Sequence, residues 1–404
     1  MSRTKLYLLV CLVLLSCAAV VVAQRRGGPG AEAFDYRPVT VVADLEFPWS
    51  FAFLPDGRML VTERPGRLRI VGLDGQLSAP VTGVPAVWAQ GQGGLLDVAL
   101  DPAFASNGYL YLSYAEPGER DEAGTAVARG KLVGNQLEQV EVIWRQLPKV
   151  RSGAHFGSRL VFSRDGKLFV TLGDRGILRD QAQDLAAPYG KTLRLNPDGS
   201  VPADNPYVGV AGALPEIWSH GHRNMQGAAL HPETGKLWTH EHGAMGGDEI
   251  NVDEAGRNYG WPVITWGVNY DGQPIGIGSE KAGMEQPLLY WKPSIAPSGM
   301  AFYSGDRYPG WHGSLLVGSL KFRYLNRIEL DGTRIKSQQR LLTDLGERIR
   351  CVRQGPDGLI YVSTDSADGR VIRLDPLKPG PAGVAAPAGP APGSVPGSVP
   401  GPSR

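Results

Sequence analysis

The sequence has few cysteines, no excess of charge and no helical periodicity, and each absence excludes a class of protein. Of its three cysteines, Cys11 and Cys17 precede residue 24, so only Cys351 remains in the part of the chain expected to fold. An internal disulfide is therefore excluded, and packing or bound ligands must provide the stability. The net charge is +1, from 41 Lys/Arg and 40 Asp/Glu. A balance this even argues against nucleic acid or an anionic membrane as a partner.

One long hydrophobic run occupies residues 6–22, after two basic residues and before the small residue Ala23. This pattern predicts a secretory signal over residues 1–23 and a periplasmic or secreted protein whose mature chain has no membrane span. Two alternatives stay open. The run is nearly long enough to remain as an uncleaved anchor, and "LLSC", ending at Cys17, resembles a loose lipoprotein box that would permit a lipid anchor.

Composition divides the remaining chain into three parts. Residues 24–34 form a short Gly-containing lead, which we expect to be flexible. Residues 377–404 consist almost entirely of Pro, Gly, Ala, Ser and Val, a composition that cannot bury a core, so we expect this tail to be disordered. Residues 35–376 remain for one folded catalytic domain, a length that suits a single repeat architecture.

An internal repeat organises this central part. A turn followed by a short run rich in Val, Leu, Tyr and Phe occurs six times, with its glycine at Gly57, Gly108, Gly166, Gly235, Gly313 and Gly358. The spacings of 51, 58, 69, 78 and 45 residues suit propeller blades with insertions. No segment shows a sustained helical period. The pattern predicts an all-β, six-bladed β-propeller of four-stranded antiparallel blades. A β-sandwich pair or a β-helix is the alternative, but neither explains six periods of this length.

Cationic side chains cluster at three places that a propeller can bring to one end of its channel. The clusters are Arg223 with Asn224 in "SHGHRNMQG", Lys321 with Arg323, and Arg348 with Arg350. In "RIRCV", strand alternation places both arginines on one face. Solvated cations on an edge strand are the plain alternative for either pair. Together the clusters predict a site for a small molecule with several carboxylates or phosphates.

A histidine and an aspartate flank the third repeat. His155 lies in a Gly-containing loop before the repeat, and Asp174 lies after the repeat, 19 residues beyond His155. A histidine base that is oriented by a carboxylate needs such proximity. A loop histidine with purely structural hydrogen bonds is the alternative.

Two kinds of metal ligand occur in and around the fourth repeat. The Gly-rich stretch "HEHGAMGGDEINVDEAGRNYGWP" gathers the acids Asp248, Glu249, Asp253 and Glu254, which favours Ca²⁺. Zn²⁺ or another transition metal is the competing interpretation, with His220, His222, His240 and His242 as ligands. A third interpretation of this stretch is a solvated acidic turn that binds no metal.

Nine motifs follow one another along residues 36–376, namely "GQGGLLDVALDPAF", "HFGSRLVF", "GDRG", "GHRNMQG", "GGDEIN", "NYGWP", "PSIAPSGMAFY", "GSLK" and "RIRCVRQGPDG". In this order they resemble the soluble, PQQ-dependent aldose sugar dehydrogenases of the glucose/sorbosone dehydrogenase type, which are six-bladed propellers. The resemblance implies oxidation of the C1 hydroxyl of an aldose sugar to the lactone. Hydride would pass to PQQ and electrons to an external acceptor.

The resemblance also implies roles for individual residues. His155 would be the base that takes the C1 hydroxyl proton, Asp174 would orient it, and Gln92 would touch substrate or quinone. Contacts with PQQ are implied for Arg223, Asn224, Tyr270, Lys321, Arg348 and Arg350.

Two Ca²⁺ ions are implied as well. One would hold the quinone through the backbone carbonyls of Gly243 and Ala244, and a second, structural ion would involve Glu249 and the backbone of Tyr259. The sequence departs from the glucose dehydrogenases at Ala154, where they carry an acid beside the catalytic histidine, and at Ala244, where they carry proline. These departures leave the preferred sugar open.

Two rival classes stay open. A calcium-dependent, lactonase-like hydrolase is also built on six blades, but it would need a carboxylate-lined axis. A non-catalytic propeller would bind a partner through its loops.

Overall fold

The computed structural model describes residues 35–377. The predicted signal over residues 1–23, the lead over 24–34 and the tail from residue 378 onward lie outside the described residues. Within them the chain is nearly all β, and its longest helical segments are one α-helix, α1 (Phe104–Asn107), and two 3₁₀ helices, η1 (Arg179–Gln183) and η2 (Thr343–Leu345). Between residues 35 and 377, no helix has the length and apolar character that crossing a bilayer requires.

Among residues 35–377, twenty-three strands form six antiparallel sheets, which confirms the predicted six-bladed propeller. Blade 1 contains β2 (Pro48–Phe53), β3 (Met59–Glu63) and β4 (Arg67–Val71), and an isolated bridge between Val71 and Leu77 extends it. Blade 2 contains β5 (Leu95–Leu100), β6 (Tyr109–Pro117), β7 (Ala123–Val133) and β8 (Gln136–Arg145). Blade 3 contains β9 (Leu160–Phe162), β10 (Leu168–Thr171), β11 (Lys191–Leu195) and β12 (Ile217–His220).

The second half of the ring repeats this order. Blade 4 contains β13 (Met225–Leu230), β14 (Leu237–Glu241), β15 (Asp248–Asp253) and β16 (Leu289–Trp291). Blade 5 contains β17 (Pro297–Phe302), β18 (Leu315–Ser319), β19 (Tyr324–Asp331) and β20 (Arg334–Leu341). Blade 6 contains β21 (Ile349–Gln354), β22 (Ile360–Thr364), β23 (Gly369–Pro376) and, as its outermost strand, β1 (Tyr36–Leu45).

The two ends of the described chain close the ring. Strand β1 pairs with β23 from Tyr36 opposite Pro376 to Leu45 opposite Gly369. Because the first strand completes the last blade, the sheet is shut by hydrogen bonds between residues more than 300 positions apart. Closure of this kind protects a strand edge that would otherwise be open to other chains.

Each sequence repeat is the turn between the first and second strands of a blade. The six marker glycines all have φ between +68° and +88°, a left-handed conformation that side chains rarely adopt. The apolar residues that follow each turn form the second strand and face the neighbouring blades. The clusters between blades 1 and 2 and between blades 4 and 5 are almost entirely aliphatic and aromatic.

A buried ion pair lies in the central channel. The side chains of Asp97 and Arg159 are 0% and 1% exposed, and their atoms Oδ1 and Nη1 are 3.3 Å apart. Asp97 also accepts hydrogen bonds from Ser50 Oγ (2.5 Å), the Leu160 amide (2.9 Å) and Arg353 Nη2 (3.4 Å). Arg159 in turn donates from Nε to the Gln226 carbonyl (2.8 Å) and lies 4.0 Å from the Trp49 ring centroid.

We predict that Asp97→Ala lowers the free energy of unfolding by about 3–5 kcal/mol, because it leaves the buried Arg159 guanidinium without its counter-charge. Urea denaturation measures the loss. The control is Asp56→Ala, which breaks an ion pair with Arg58 whose side chains are 52% and 43% exposed and should cost less than about 1 kcal/mol. Equal losses in the two variants would contradict the central role of this pair.

Candidate active site

One end of the channel opens into a cavity of about 190 Å³, which we call the channel cavity. Polar and charged side chains from blades 1, 4 and 6 and from connecting loops line it, among them Arg64, Gln92, Asn224, Gln226, His242, Arg348, Arg350 and Asp365. Apolar contacts come from Trp49, Leu96, Phe156 and Leu320. The cavity therefore offers many hydrogen-bond donors to a polar ligand while aromatic rings form part of its wall.

β-Bulges in the inner strands point several of these side chains into the cavity. The register shifts between Pro48 and Ser50, between Met225 and Gly227, and between Ile349 and Cys351. Trp49, Gln226 and Arg350 are the extra residues at these three bulges, and all three line the cavity. A bulge re-aims a side chain without disturbing the rest of the strand, which explains how a regular propeller builds an irregular site.

The arginine pair of "RIRCV" lies in the channel cavity, as predicted. Both guanidiniums bind the carboxylate of Asp365, and each has an Nη2–Oδ2 distance of 2.9 Å. Burial raises the pKa of Asp365, but the two guanidiniums outweigh it and lower this pKa to about 2. Arg350 Nε is buried and has no hydrogen-bond partner among the described residues. One carboxylate against two guanidiniums leaves a net positive charge and a free donor.

His155 and Asp174 form the predicted pair. Nδ1 of His155 is 2.6 Å from Oδ1 of Asp174, and the two side chains are 13% and 1% exposed. Gln92, which lines the channel cavity, accepts the backbone N–H of His155 at 2.8 Å, and Phe156, the next residue along the chain, lines the cavity as well. His155 has φ of +52°, a strained conformation that is common at functional sites.

Asp174 stays ionised because three donors surround it. Oδ1 accepts the Gly176 amide at 2.7 Å as well as His155, and Oδ2 accepts the indole N–H of Trp261 at 2.8 Å. Burial raises the pKa of Asp174, but its hydrogen bonds and the nearby Arg223 guanidinium outweigh burial and lower it. An ionised carboxylate can only accept a hydrogen bond, so His155 Nδ1 carries the proton. In the neutral ring, Nε2 therefore presents a lone pair, and no described residue hydrogen-bonds it.

Some residues of "SHGHRNMQG" make structural contacts, and others lie at the channel cavity. His222 is buried between Glu241, at 2.9 Å from Nδ1, and Ser219, at 2.9 Å from Nε2, while His220 contacts the Tyr207 hydroxyl. Asn224 lines the channel cavity. Arg223 lies behind it, with Nη1 donating to the His242 carbonyl at 3.1 Å.

Besides Arg223, two predicted cofactor contacts lie outside the channel cavity. The side chain of Tyr270 is 74% exposed on a loop. Lys321 is also exposed, directly after the cavity residue Leu320, and its ammonium is 5.3 Å from the Phe322 ring centroid. The structure does not bring either group against Arg348 and Arg350.

A second, smaller cavity lies beside the channel cavity, and we call it the acidic cavity. Three of the four predicted calcium positions, Gly243, Glu249 and Tyr259, line it, together with Glu241, Arg223 and Trp261. Ala244 is nearly buried and pairs with Gly246 in an isolated bridge rather than lining it. The loop is tight, since a Cβ at Gly243 would come within 2.1 Å of the Gly246 carbonyl oxygen.

The two carboxylates of the acidic cavity face each other across neighbouring strands. Glu241 is satisfied by His222 and by the Arg223 amide, whereas Glu249 has only a 3.4 Å contact from Asn251. Burial, and then repulsion from Glu241, raises the pKa of Glu249 well above its usual range. A cation beside both carboxylates would reduce this repulsion, but between residues 35 and 377 no group of three or more His, Cys, Asp or Glu side chains is arranged to hold a metal ion, so any calcium here would rely on backbone carbonyls as well.

The other acids of that stretch have separate structural contacts, which corrects the prediction that four acids gather there. Asp248 caps the loop to blade 5, accepting the Ile295 and Ala296 amides and the Ser294 hydroxyl. Asp253 accepts Thr192 Oγ1, and Glu254 forms a surface ion pair with Lys236. The competing imidazole site is not assembled, because Nε2 of His242 donates to the Pro297 carbonyl and His222 is held by Glu241.

Sequence reasoning assigned no role to Trp49, Arg64, Gln226 and Asp365, which line the channel cavity, and it considered His242 only as a transition-metal ligand. The sequence contained one pattern that pointed to some of them. An acid stands at or directly after the end of the second strand of the repeat in "MLVTE", "LWTHE" and "IYVSTD", and two of these acids are Glu241 and Asp365, beside the candidate site.

The His242 ring is neutral. Burial, with the Arg223 guanidinium nearby, lowers the pKa of His242 to about 3.

The lining argues against the hydrolase alternative. A lactonase-like site needs several carboxylates around the axis, but Asp365 is the one acidic residue among those that line the channel cavity, and two arginines neutralise it.

Comparison with known proteins agrees with this geometry. Residues 45–373 match the family model described as Glucose / Sorbosone dehydrogenase. The chain is 48% identical over 344 residues to the aldose sugar dehydrogenase YliI of Escherichia coli K12, covering 84% of this chain and 92% of that protein.

Two solved structures are similar along nearly their whole length. The apo-form of the soluble aldose sugar dehydrogenase of E. coli superposes with a TM-score of 0.83 at 46% identity, covering 85% of this chain and 100% of that one. The PQQ-bound aldose sugar dehydrogenase of Streptomyces coelicolor superposes with a TM-score of 0.69 at 29% identity, covering 85% and 99%. This chain is a sugar dehydrogenase of the glucose/sorbosone dehydrogenase family.

Proposed function

We propose that this protein is a PQQ-dependent aldose dehydrogenase that oxidises the C1 hydroxyl of an aldose to the lactone and delivers the electrons to an external acceptor. The observation that carries the proposal is the pair of His155 and buried Asp174 at the channel cavity. Their 2.6 Å contact orients the ring and leaves Nε2 of His155 without a hydrogen-bond partner among the described residues, as a general base requires.

The channel cavity suits PQQ as the cofactor. PQQ carries three carboxylates, and the cavity offers the net positive charge of Arg348, Arg350 and Asp365, the unpartnered Nε of Arg350 and the further guanidinium of Arg64. Guanidinium groups bind carboxylates with two parallel hydrogen bonds, and partial burial strengthens the attraction. The PQQ-bound relative of the same family supports this assignment.

The chemistry divides between cofactor and protein. PQQ, when bound, supplies a quinone carbonyl group that accepts the hydride from C1. His155 Nε2 takes the proton of the C1 hydroxyl, and the ionised Asp174 stabilises the imidazolium that forms. Gln92 holds the His155 backbone, and so keeps the base at the mouth of the cavity.

Calcium would occupy the acidic cavity. Glu249 and the backbone of Gly243 and Tyr259 would hold it, and the ion would supply positive charge next to the channel cavity, with which the acidic cavity shares His242. This proposal assigns Gly243, Glu249 and Tyr259 to one ion, in place of the two separate sites that the resemblance implied.

We propose further that residues 1–23 direct export, so that the enzyme works in the periplasm or outside the cell. An external electron acceptor would then meet the enzyme in that compartment.

We predict that PQQ and Ca²⁺ together raise the melting temperature, because ligands that bind only the folded state stabilise it. A ligand at 100 times its Kd raises the free energy of unfolding by about 2.7 kcal/mol. Calorimetry of the protein with PQQ, with Ca²⁺ and with both measures the shift. In Glu249→Gln the calcium-dependent part should disappear, whereas the exposed Glu280→Gln should retain it. No shift at saturating cofactor would refute the PQQ assignment.

We predict that His155→Ala lowers kcat for aldose oxidation by about 10²- to 10⁴-fold while PQQ still binds, since proton transfer by a positioned base contributes this much. Dye-coupled steady-state kinetics measures kcat. The exposed His312→Ala is the matched control and should keep wild-type activity. Full activity in His155→Ala would place the base elsewhere.

We predict that Arg350→Ala raises the Kd for PQQ at least about tenfold, because a carboxylate in the cavity would lose a buried cationic partner. Quenching of tryptophan fluorescence at fixed Ca²⁺ measures Kd, and Trp49 in the cavity wall is the expected reporter. The control is Arg373→Ala, whose guanidinium pairs with Asp375 away from the cavity. Equal affinities in the two variants would exclude an Arg350 contact.

A further inference from the structure

The two oxygens of Asp174 are held unequally. Oδ1 accepts two hydrogen bonds, from His155 Nδ1 and from the Gly176 amide. Oδ2 accepts one from a described side chain, the indole N–H of Trp261 at 2.8 Å. Without that donor the carboxylate could rotate about its Cβ–Cγ bond, and rotation would move Oδ1 away from the histidine ring.

The Trp261 indole is itself rigidly placed. Its residue is 7% exposed, its backbone N–H donates to the Gly221 carbonyl at 2.9 Å, and its carbonyl accepts Gln183 Nε2 at 2.8 Å. Its ring lies 5.3 Å from the Arg223 guanidinium and packs with Ala182. A donor held on three sides imposes one orientation on its acceptor.

The contact joins parts of the chain that are distant in sequence. Asp174 follows strand β10 of blade 3, whereas Trp261 lies in the long connection between β15 and β16 of blade 4, 87 residues later. Trp261 also lines the acidic cavity together with Glu249. The orientation of the histidine thus depends on how the blade 4 connection packs against blade 3.

We infer that Trp261 is a positioning residue for His155, acting through the hydrogen bond from its indole N–H to Asp174. The inference rests on the proposed function, in which His155 is the base. Trp261 itself touches neither the hydroxyl nor the proton that moves. Its contribution is to keep the carboxylate in the one rotation that orients Nε2 toward the cavity.

The test variant is Trp261→Phe, which keeps an aromatic ring beside Arg223 and removes the N–H donor together with part of the indole ring. We expect kcat to fall about 10- to 100-fold, because small displacements of a catalytic group have large effects on rate. The KM for the aldose and the Kd for PQQ should stay within about twofold. A loss confined to KM, or unchanged kcat, would overturn the inference.

The matched control is Trp144→Phe. Trp144 also donates its indole N–H to a carboxylate, that of Glu216 at 3.3 Å, but on the outer strand of blade 2. The Trp144→Phe substitution should leave kcat unchanged. A loss in Trp144→Phe equal to that in Trp261→Phe would attribute the effect to general destabilisation and overturn the inference.

A double-mutant cycle separates positioning from bulk stability. If Trp261 acts through Asp174, Trp261→Phe should have little further effect on kcat in an Asp174→Asn background, because coupled residues are not additive. Independent, additive losses would overturn the inference.

Proton NMR tests the contact without sugar turnover and with Trp261 intact. In Asp174→Asn the indole N–H resonance of Trp261 should shift, because its acceptor loses its charge, and an unmoved resonance would overturn the inference even if Trp261→Phe fails to fold. In folded Trp261→Phe, the Nδ1–H resonance of His155, identified by its absence in His155→Ala, should move as well. A wild-type protein that binds PQQ but oxidises no aldose would refute the proposed function, while these resonances would still decide the positioning contact.

Discussion

The ion pair between Asp97 and Arg159 is the interaction on which the channel depends. Through this pair, side chains or backbone of five blades meet on the axis, because Asp97 binds Ser50 and Arg353 while Arg159 binds the carbonyl of Gln226. The described residues contain no disulfide, so this pair adds an axial link to inner strands that are otherwise held by hydrophobic packing between blades. Desolvation makes such a pair intolerant of a missing partner, so the blades are constrained to meet in one arrangement.

That constraint also defines the cavity. Leu96 lines the channel cavity, Asp97 lies on the axis, and Val98 lines a wider apolar opening at the other end of the inner strands. The ion pair therefore separates two compartments of different chemistry. The bulged residues Gln226 and Arg350 line the polar compartment, and Phe156, the neighbour of His155, lines it as well.

Several blades have an acidic residue at or shortly after the end of the second strand, and these residues have different partners. In blade 1, Glu63 binds Arg67 and Arg69 and is purely structural. Asp174 orients His155 in blade 3, and Asp365 gathers two arginines in blade 6. An acid near the end of the second strand can have different partners in different blades because its neighbours, rather than its identity, set its pKa and its contacts.

The sequence by itself determined the blade count, since six Gly turns before apolar runs require six hairpins, and motif resemblance located His155, Asp174 and the arginine pair. Tertiary structure alone decided which groups meet. Strand alternation does not foresee the bulge that turns Arg350 inward, and no local pattern connects Trp261 to Asp174 across 87 residues. Grouping the acids by proximity in sequence was wrong because alternate residues of β15 face different blades, so Asp248 and Glu249 point to separate surroundings. Periodicity encodes local structure, whereas a site built between blades depends on distances that only the closed ring sets.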